Sequence, residues 1–185
     1  MVKVSLVIDF EIPEGLAEIY LESQSCPFVG DKEGPKDLQG AIADLERYVN
    51  TNQYGNRPIL GIMKIYHYGI LVGFSFPRAI MEKEYKVFKL NGDKPFYRIG
   101  TIYISKAFRG LGIVKETIRQ FKEIYPNMLW TCNSLNTASE ATALSGGLEF
   151  SHHIYVRPER KWEFHPVEDQ VRIDNVYKTE VDQNA

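Results

Sequence analysis

An alternating, β-branched and aromatic run, Tyr97–Ile104, passes through two closely spaced glycines directly into an amphipathic helix. That succession limits the folds open to this chain more than any other feature. Val114, Ile118, Phe121 and Tyr125 recur at helical spacing after Gly110 and Gly112, and Pro126 ends the helix. A strand that becomes a helix within Ser105–Gly112 must reverse sharply, and glycine supplies the reversal because it adopts positive φ without a Cβ clash. Such a turn exposes backbone N–H groups beside the positive end of a helix dipole, which makes a cradle for phosphate or pyrophosphate. The same glycines also suit a tight turn with no ligand. The dinucleotide fingerprint G-x-G-x-x-G is not met here, and the pattern G-x-x-x-x-G-K-[ST] is absent.

The rest of the chain places this unit in a mixed domain. Residues 2–10 alternate as a strand. Leu16, Ile19 and Tyr20 mark a helix over 14–23, and Leu38, Ile42, Leu45 and Val49 share one face of a helix over 36–52. Tyr54–Pro58 reads as a breaker. Ile59–Tyr66 and Ile70–Phe76 form a hairpin about His67-Tyr68-Gly69; residues 78–95 are ambiguous between helix and strand, with Val87–Leu90 a candidate strand ending at Asn91-Gly92-Asp93. Met128–Cys132 is a strand, Thr137–Ser145 a helix closed by Gly146-Gly147, and Glu149–Val156 the last strand. Beyond Pro158 the composition turns polar, with Trp162 and Phe164 as docking residues. The expectation is one α+β (mixed α/β) domain over 1–165 and a polar tail over 166–185.

Composition removes several functions. The 185 residues are 44% hydrophobic, enough for one real core. With 22 basic and 24 acidic residues and a net charge of −2, binding of nucleic acid by bulk charge alone is excluded, although a local basic face is not. Cys26 and Cys132 lie too far apart in sequence for a disulfide scaffold or a multi-cysteine zinc site. No apolar run is long enough to span a bilayer, and Asp9 interrupts the first apolar stretch too early for a signal peptide. A cytoplasmic protein is expected. His67 falls in a hairpin turn and His152-His153 alternate across a strand, so no metal site is expected.

The stretch from Ile70 to Val156 resembles the GNAT superfamily of N-acetyltransferases, which use acetyl-CoA. Ile70-Leu71-Val72-Gly73-Phe74 is similar to the family's third strand. Ile102-Tyr103-Ile104 with Ser105–Val114 resembles its fourth strand and pyrophosphate loop, Arg/Gln-x-x-Gly-x-Gly/Ala, with Arg109 and Gly112 at the first two fixed positions. Leu129–Leu148 resembles its fifth strand and following helix, with Asn136 eleven positions before Gly147. Three positions depart from the pattern. Val114 stands in place of Gly or Ala, Leu148 in place of Phe, and Ala143 where many members carry a tyrosine that protonates the leaving thiolate.

The resemblance implies a central, mostly antiparallel mixed sheet with helices on both faces, splayed between the family's fourth and fifth strands. It implies acetyl-CoA as cosubstrate, its pyrophosphate held by the backbone of Phe108, Arg109, Gly110, Leu111, Gly112, Ile113 and Val114. The pantetheine would run along Ile102 and Ile104, and Asn136 would fix it or cap the following helix. An amine would attack the thioester directly. Tyr103, Cys132 and Ser145 are the candidates for the catalytic chemistry; the alternatives are a packed strand aromatic for Tyr103 and a small buried hydrophobe for Cys132. Glu82 and Glu84 are candidate carboxylates for a cationic acceptor, against the alternative of a solvated charged loop. A small molecule or a protein would supply the amine, and a homodimer is a candidate assembly.

Two other functions fit this fold. The segment Ile124–Ser134 faintly resembles phage Mom-type DNA-modification proteins, GNAT-like enzymes that alter adenine, and Lys83, Lys86, Lys89, Arg157, Arg160 and Lys161 would give such an enzyme its basic face. A degenerate domain that binds CoA or a protein partner without turnover is the third reading, kept open by Val114 and Ala143.

Overall fold

The computed structural model describes residues 2–26, 28, 34–90, 95–156 and 172–179. The chain runs β1 (Val4–Asp9), α1 (Leu16–Ser23), α2 (Leu38–Thr51), β2 (Gln53–Tyr54), β3 (Arg57–Pro58), β4 (Ile62–His67), β5 (Ile70–Ser75), β6 (Arg78–Ala79) and α3 (Glu82–Phe88). It continues as β7 (Tyr97–Arg98), β8 (Ile102–Ile104), α4 (Ile113–Ile124), β9 (Met128–Asn133), α5 (Thr137–Ser145), β10 (Glu149–Val156) and β11 (Arg172–Lys178). One sheet has the order β1-β4-β5-β8, a second β10-β11-β9-β7-β6, and β2-β3 is a small separate hairpin. Among the described residues all pairings are antiparallel except β7 with β9.

Strand alternation sorts side chains into cores on either side of the sheets. Ile62, Phe74, Phe76 and Tyr103 pack with Leu16, Tyr20, Leu45 and Tyr48 of α1 and α2. Met63, Ile65, Val72 and Ile104 face the other way and join Ile113, Ile118 and Phe121 of α4 and Ala143 of α5. A third cluster packs Phe88 of α3 with Leu129, Ile154 and Val176 of the second sheet. On α2 the innermost residues are Ala41, Leu45 and Tyr48, while Leu38, at its exposed first turn, is 41% accessible.

Four expectations are corrected. Val87–Leu90 is not a strand: Phe88 closes α3, Glu84 Oε2 accepts the Met81 N–H at 3.1 Å at its start, and Lys89 ends it at φ 48°. Four residues of mixed polarity carry too little periodicity to separate the two readings. Tyr54–Pro58 holds the small hairpin β2-β3. Tyr97–Ile104 is not one strand but two, broken at Ile99–Thr101 and shared between the sheets. Residues 172–178 are no loose tail: β11 lies between β10 and β9, with Val176 and Tyr177 fully buried. Its buried Asp174 and Asn175 hide the alternation. Asn175 Nδ2 donates to the Tyr177 hydroxyl at 3.3 Å, which donates to Glu140 Oε1 at 2.8 Å, so polar groups lie inside without losing their partners. Asn91–Asp93, Trp162 and Phe164 lie outside the described residues.

Candidate active site

The two sheets part at one point. β7 pairs with β9 at Tyr97–Met128 and Arg98–Leu129; then the chain bends, and among the described residues β8 pairs only with β5. A side chain at Gly100 would set its Cβ 2.2 Å from the Phe76 carbonyl oxygen, so the bend needs glycine. Beyond Leu129, β9 pairs among the described residues only with β11, leaving a gap between β8 and β9. Ser105 N–H donates to the Val72 carbonyl at 2.9 Å, so Tyr103, two positions back and opposite Phe74, is the next residue whose main chain turns toward β5. By the alternation of an antiparallel ladder, the main-chain groups of Ile102 and Ile104 point away from β5, into the gap. The Ile104 carbonyl accepts Arg109 Nε–H at 3.1 Å.

β8 leads into a single 3-10 turn, Lys106–Phe108. Phe108 N–H donates to Ser105 O (2.9 Å) and Arg109 N–H to Lys106 O (3.4 Å), so these two amides close the turn rather than face a ligand. Gly110 (φ 77°) and Gly112 (φ 74°) then reverse the chain, and α4 starts with no side-chain cap. Its first internal bond is Glu116 N–H to Gly112 O. The amides of Gly110, Leu111, Gly112, Ile113, Val114 and Lys115 make no backbone hydrogen bond among the described residues. At the two glycines they border open space: among the described residues, chain neighbours aside, nothing lies within 4 Å of a Cβ built at Gly110, and only Val2 Cγ2, at 3.7 Å, near one at Gly112. Val114, half-buried against the α4 core, does not close this cradle.

The loop is anchored by a residue that the sequence did not single out. Glu22, near the end of α1, accepts Ser105 Oγ–H at 2.7 Å and Lys106 N–H at 2.9 Å. Burial raises its pKa, but those two hydrogen bonds outweigh burial and hold the carboxyl below its ordinary value. Glu22 lies 83 positions from Ser105, so only the fold reveals the contact.

The three candidate catalytic side chains are not gathered. Tyr103 packs on the α1–α2 side, with the Arg109 guanidinium 4.9 Å from its ring centre. Burial, then the Glu22 charge, pushes its hydroxyl up to about 12. Cys132 is buried on the opposite, α4–α5 side. Ser145 is exposed at the end of α5, donating to Thr142 O at 3.0 Å. Asn136 is the α5 N-cap: its Oδ1 accepts Ser139 N–H at 3.1 Å. Ser139 Oγ also accepts the Trp130 indole N–H at 3.1 Å. Ala143 is fully buried in the same cluster as Tyr177.

At the apex of the gap Thr101 Oγ1 donates to the Tyr54 hydroxyl at 3.4 Å, Tyr54 is matched with Arg57 across β2–β3, and Arg78 with Arg98 across β6–β7. Glu84 accepts both Arg78 Nη groups, at 2.6 and 2.7 Å, and Arg57 Nη2 lies 3.9 Å from it. Burial raises Glu84, but Arg78 outweighs it and lowers its pKa. Its carboxylate is thus committed internally, whereas Glu82 is exposed on α3. Among the described residues no cluster of three or more His, Cys, Asp or Glu could hold a metal ion. A groove of about 350 Å³ between residues 12–15 and α2 lies at the far end of α1 from Glu22 and includes none of these apex residues.

No protein-family model matches the sequence, and no curated protein matches it. Solved structures do. The microcin C7 self-immunity acetyltransferase MccE, in complex with acetyl-CoA and AMP, aligns over 97% of this chain and 93% of its own, at 17% identity and TM-score 0.63. RimL, a ribosomal L7/L12 α-N-protein acetyltransferase in complex with coenzyme A, aligns over 97% and 94%, at 14% identity and TM-score 0.66. A GNAT-family acetyltransferase from Bacillus anthracis aligns over 96% of both chains, at 15% identity and TM-score 0.62. The chain has the GNAT acetyltransferase fold.

Proposed function

We propose that this protein is an N-acetyltransferase that takes acetyl-CoA as donor and an amine as acceptor. One observation carries the reading: an open cradle of amides, Gly110–Lys115, continues an edge strand whose outward main chain faces the gap between the sheets. Six amides at a helix N-terminus suit a pyrophosphate, and the free edge of β8 suits an extended amide-bearing arm. These residues fit CoA, which would supply an activated thioester. Gly110, Leu111, Gly112, Ile113, Val114 and Lys115 would hold its phosphates, Ile102 and Ile104 would align its arm, and Asn136 would keep α5 in register beside it. The Ile102 N–H, directed into the gap, is the group to polarise a carbonyl there.

The acceptor would enter from the face opposite α4, where Tyr54 and Thr101 lie at the bend. It must arrive as, or become, a neutral amine before attack. We assign no chemical step to Tyr103, Cys132 or Ser145: the first two are packed into opposite cores, and the third is held at the far end of α5. That MccE and RimL are acetyltransferases solved with acetyl-CoA or CoA supports the donor; RimL's protein substrate supports an amine acceptor. No helix among the described residues is long and apolar enough to cross a membrane. The Mom-type reading loses its motif, because Trp130 and Cys132 are core residues and the Tyr125 ring packs against Tyr97 with centres 4.3 Å apart, so packing accounts for that stretch.

Release of free CoA thiol from acetyl-CoA, measured across primary amines, amino acids, peptides and DNA, tests the proposal. Amine-dependent release that Gly112→Glu abolishes is the expected result. Tight CoA binding with no amine-dependent release would favour the degenerate reading instead.

A further inference from the structure

The groove at the start of α1 has a lining that the gap between the sheets does not explain. It holds about 350 Å³ between residues 12–15, α1 and α2. Ile12, Ala17, Leu38 and Ile42 make its lining apolar, and its charged residues are three carboxylates, Glu14, Glu18 and Glu46. All three are exposed, and among the described residues none of their side chains makes an ion pair or hydrogen bond. Glu18 suits the first turn of α1, where the helix dipole favours an acid. Glu46 has no such reason. It lies in the second half of α2, and its neighbours on that helix face, Ile42, Ala43, Val49 and Asn50, are uncharged. The one cation of α2, Arg47, is held 2.7 Å from Asp44 and over the Tyr48 ring, and α1 has none. The imbalance extends along the chain. Residues 9–50 contain ten acidic and three basic side chains, against 24 and 22 in the whole sequence, so acid is concentrated where the groove is built.

We propose that this groove docks a basic segment of a polypeptide acceptor that also carries apolar side chains. The inference rests on the acetyltransferase reading and names the acceptor's class. Charge complementarity selects the occupant: lysines or arginines of the segment would meet Glu14, Glu18 and Glu46, while its apolar side chains would cover Leu38 and enter beside Ile12 and Ile42. A groove of this size takes a few side chains and not a folded surface. A small polyamine would use the carboxylates and leave the apolar lining wet. Tyr54, at the bend, packs into the same α1–α2 core, so a docked segment would share the face by which the amine enters the gap. Carboxylates for a cationic acceptor would thus lie here, and not at Glu84, which Arg78 occupies.

Fluorescence anisotropy on the CoA-saturated protein tests this with a short soluble peptide of lysines and leucines among serines. Two analogues carry glutamines for the lysines or serines for the leucines. We expect each analogue to bind about tenfold or more weakly than the parent peptide. Glu14→Gln, Glu18→Gln and Glu46→Gln combined should weaken the parent by a similar factor, and Leu38→Ser, at an exposed position, should weaken it too. Glu149→Gln, exposed on the second sheet, should change nothing. Unchanged affinity for CoA in these variants shows that the fold is intact. No binding of the parent, equal binding of the leucine-free analogue, full displacement by equimolar spermidine, or binding that survives the triple neutralisation would overturn the inference. Absence of CoA binding in wild type would overturn the underlying reading instead.

Discussion

Gly73 and Gly100 show how single residues set the geometry of the gap. A Cβ at Gly73 would lie 2.3 Å from the Tyr103 carbonyl oxygen, and one at Gly100 2.2 Å from that of Phe76. Both contacts are backbone contacts, so they cannot be relieved by turning a side chain. Gly73→Ala should push β8 from β5, costing about 1–3 kcal/mol of stability by the usual penalty for overpacking. Urea denaturation checks this, and an unchanged midpoint would mean that β8 does not lie so close. At this scale much was legible. Gly110 and Gly112 were readable because positive φ is a local demand that a sequence displays openly. Glu22 was not, because it matters only through partners far along the chain.

The elements differ in how openly they announce themselves. α4 and α5 were readable from apolar spacing, a terminal Pro126 and the Gly146-Gly147 stop. β11 was not, since Asp174 and Asn175 occupy buried positions where alternation calls for apolar residues. The bend at Ile99–Thr101 was hidden because both halves of Tyr97–Ile104 have strand composition; only competition between two sheets divides them. α2 provides a check on local energetics. Asp37 Oδ1 accepts Gly40 N–H at 2.8 Å as its N-cap. Asp37→Ala should cost about 1 kcal/mol and leave CoA affinity intact, since α2 and α4 pack into separate cores. A loss of CoA binding in that variant would show that the first helices reach the donor site.

Over the whole molecule, carboxylates tie the α1 side to the loop and α3 to the second sheet. Glu22 and Glu84 both have folded-state pKa values below the ordinary 4.5. A depressed pKa contributes stability that is present above the unfolded value and lost as pH falls through the folded one. Stability should therefore hold near neutrality and decline as pH drops below about 4.5. Glu22→Gln, which keeps an acceptor oxygen but does not titrate, should flatten part of that decline in urea midpoints measured from pH 7 to 3. A variant that falls as steeply as wild type would remove Glu22 from this account. The splayed pair of sheets was legible only through resemblance, because no local pattern states which strands will part.

The central claim is that Gly110–Lys115 forms an occupied anion cradle in the working protein. Calorimetric titration of acetyl-CoA into wild type and Gly112→Glu tests it most directly. Wild type should bind at micromolar concentrations or tighter. The variant, which places a carboxylate among the amides at a position with φ 74°, should not bind measurably while remaining folded by circular dichroism. Equal binding by the two proteins, or none by wild type at millimolar ligand, would contradict the account and leave Arg109–Val114 as a turn between a strand and a helix.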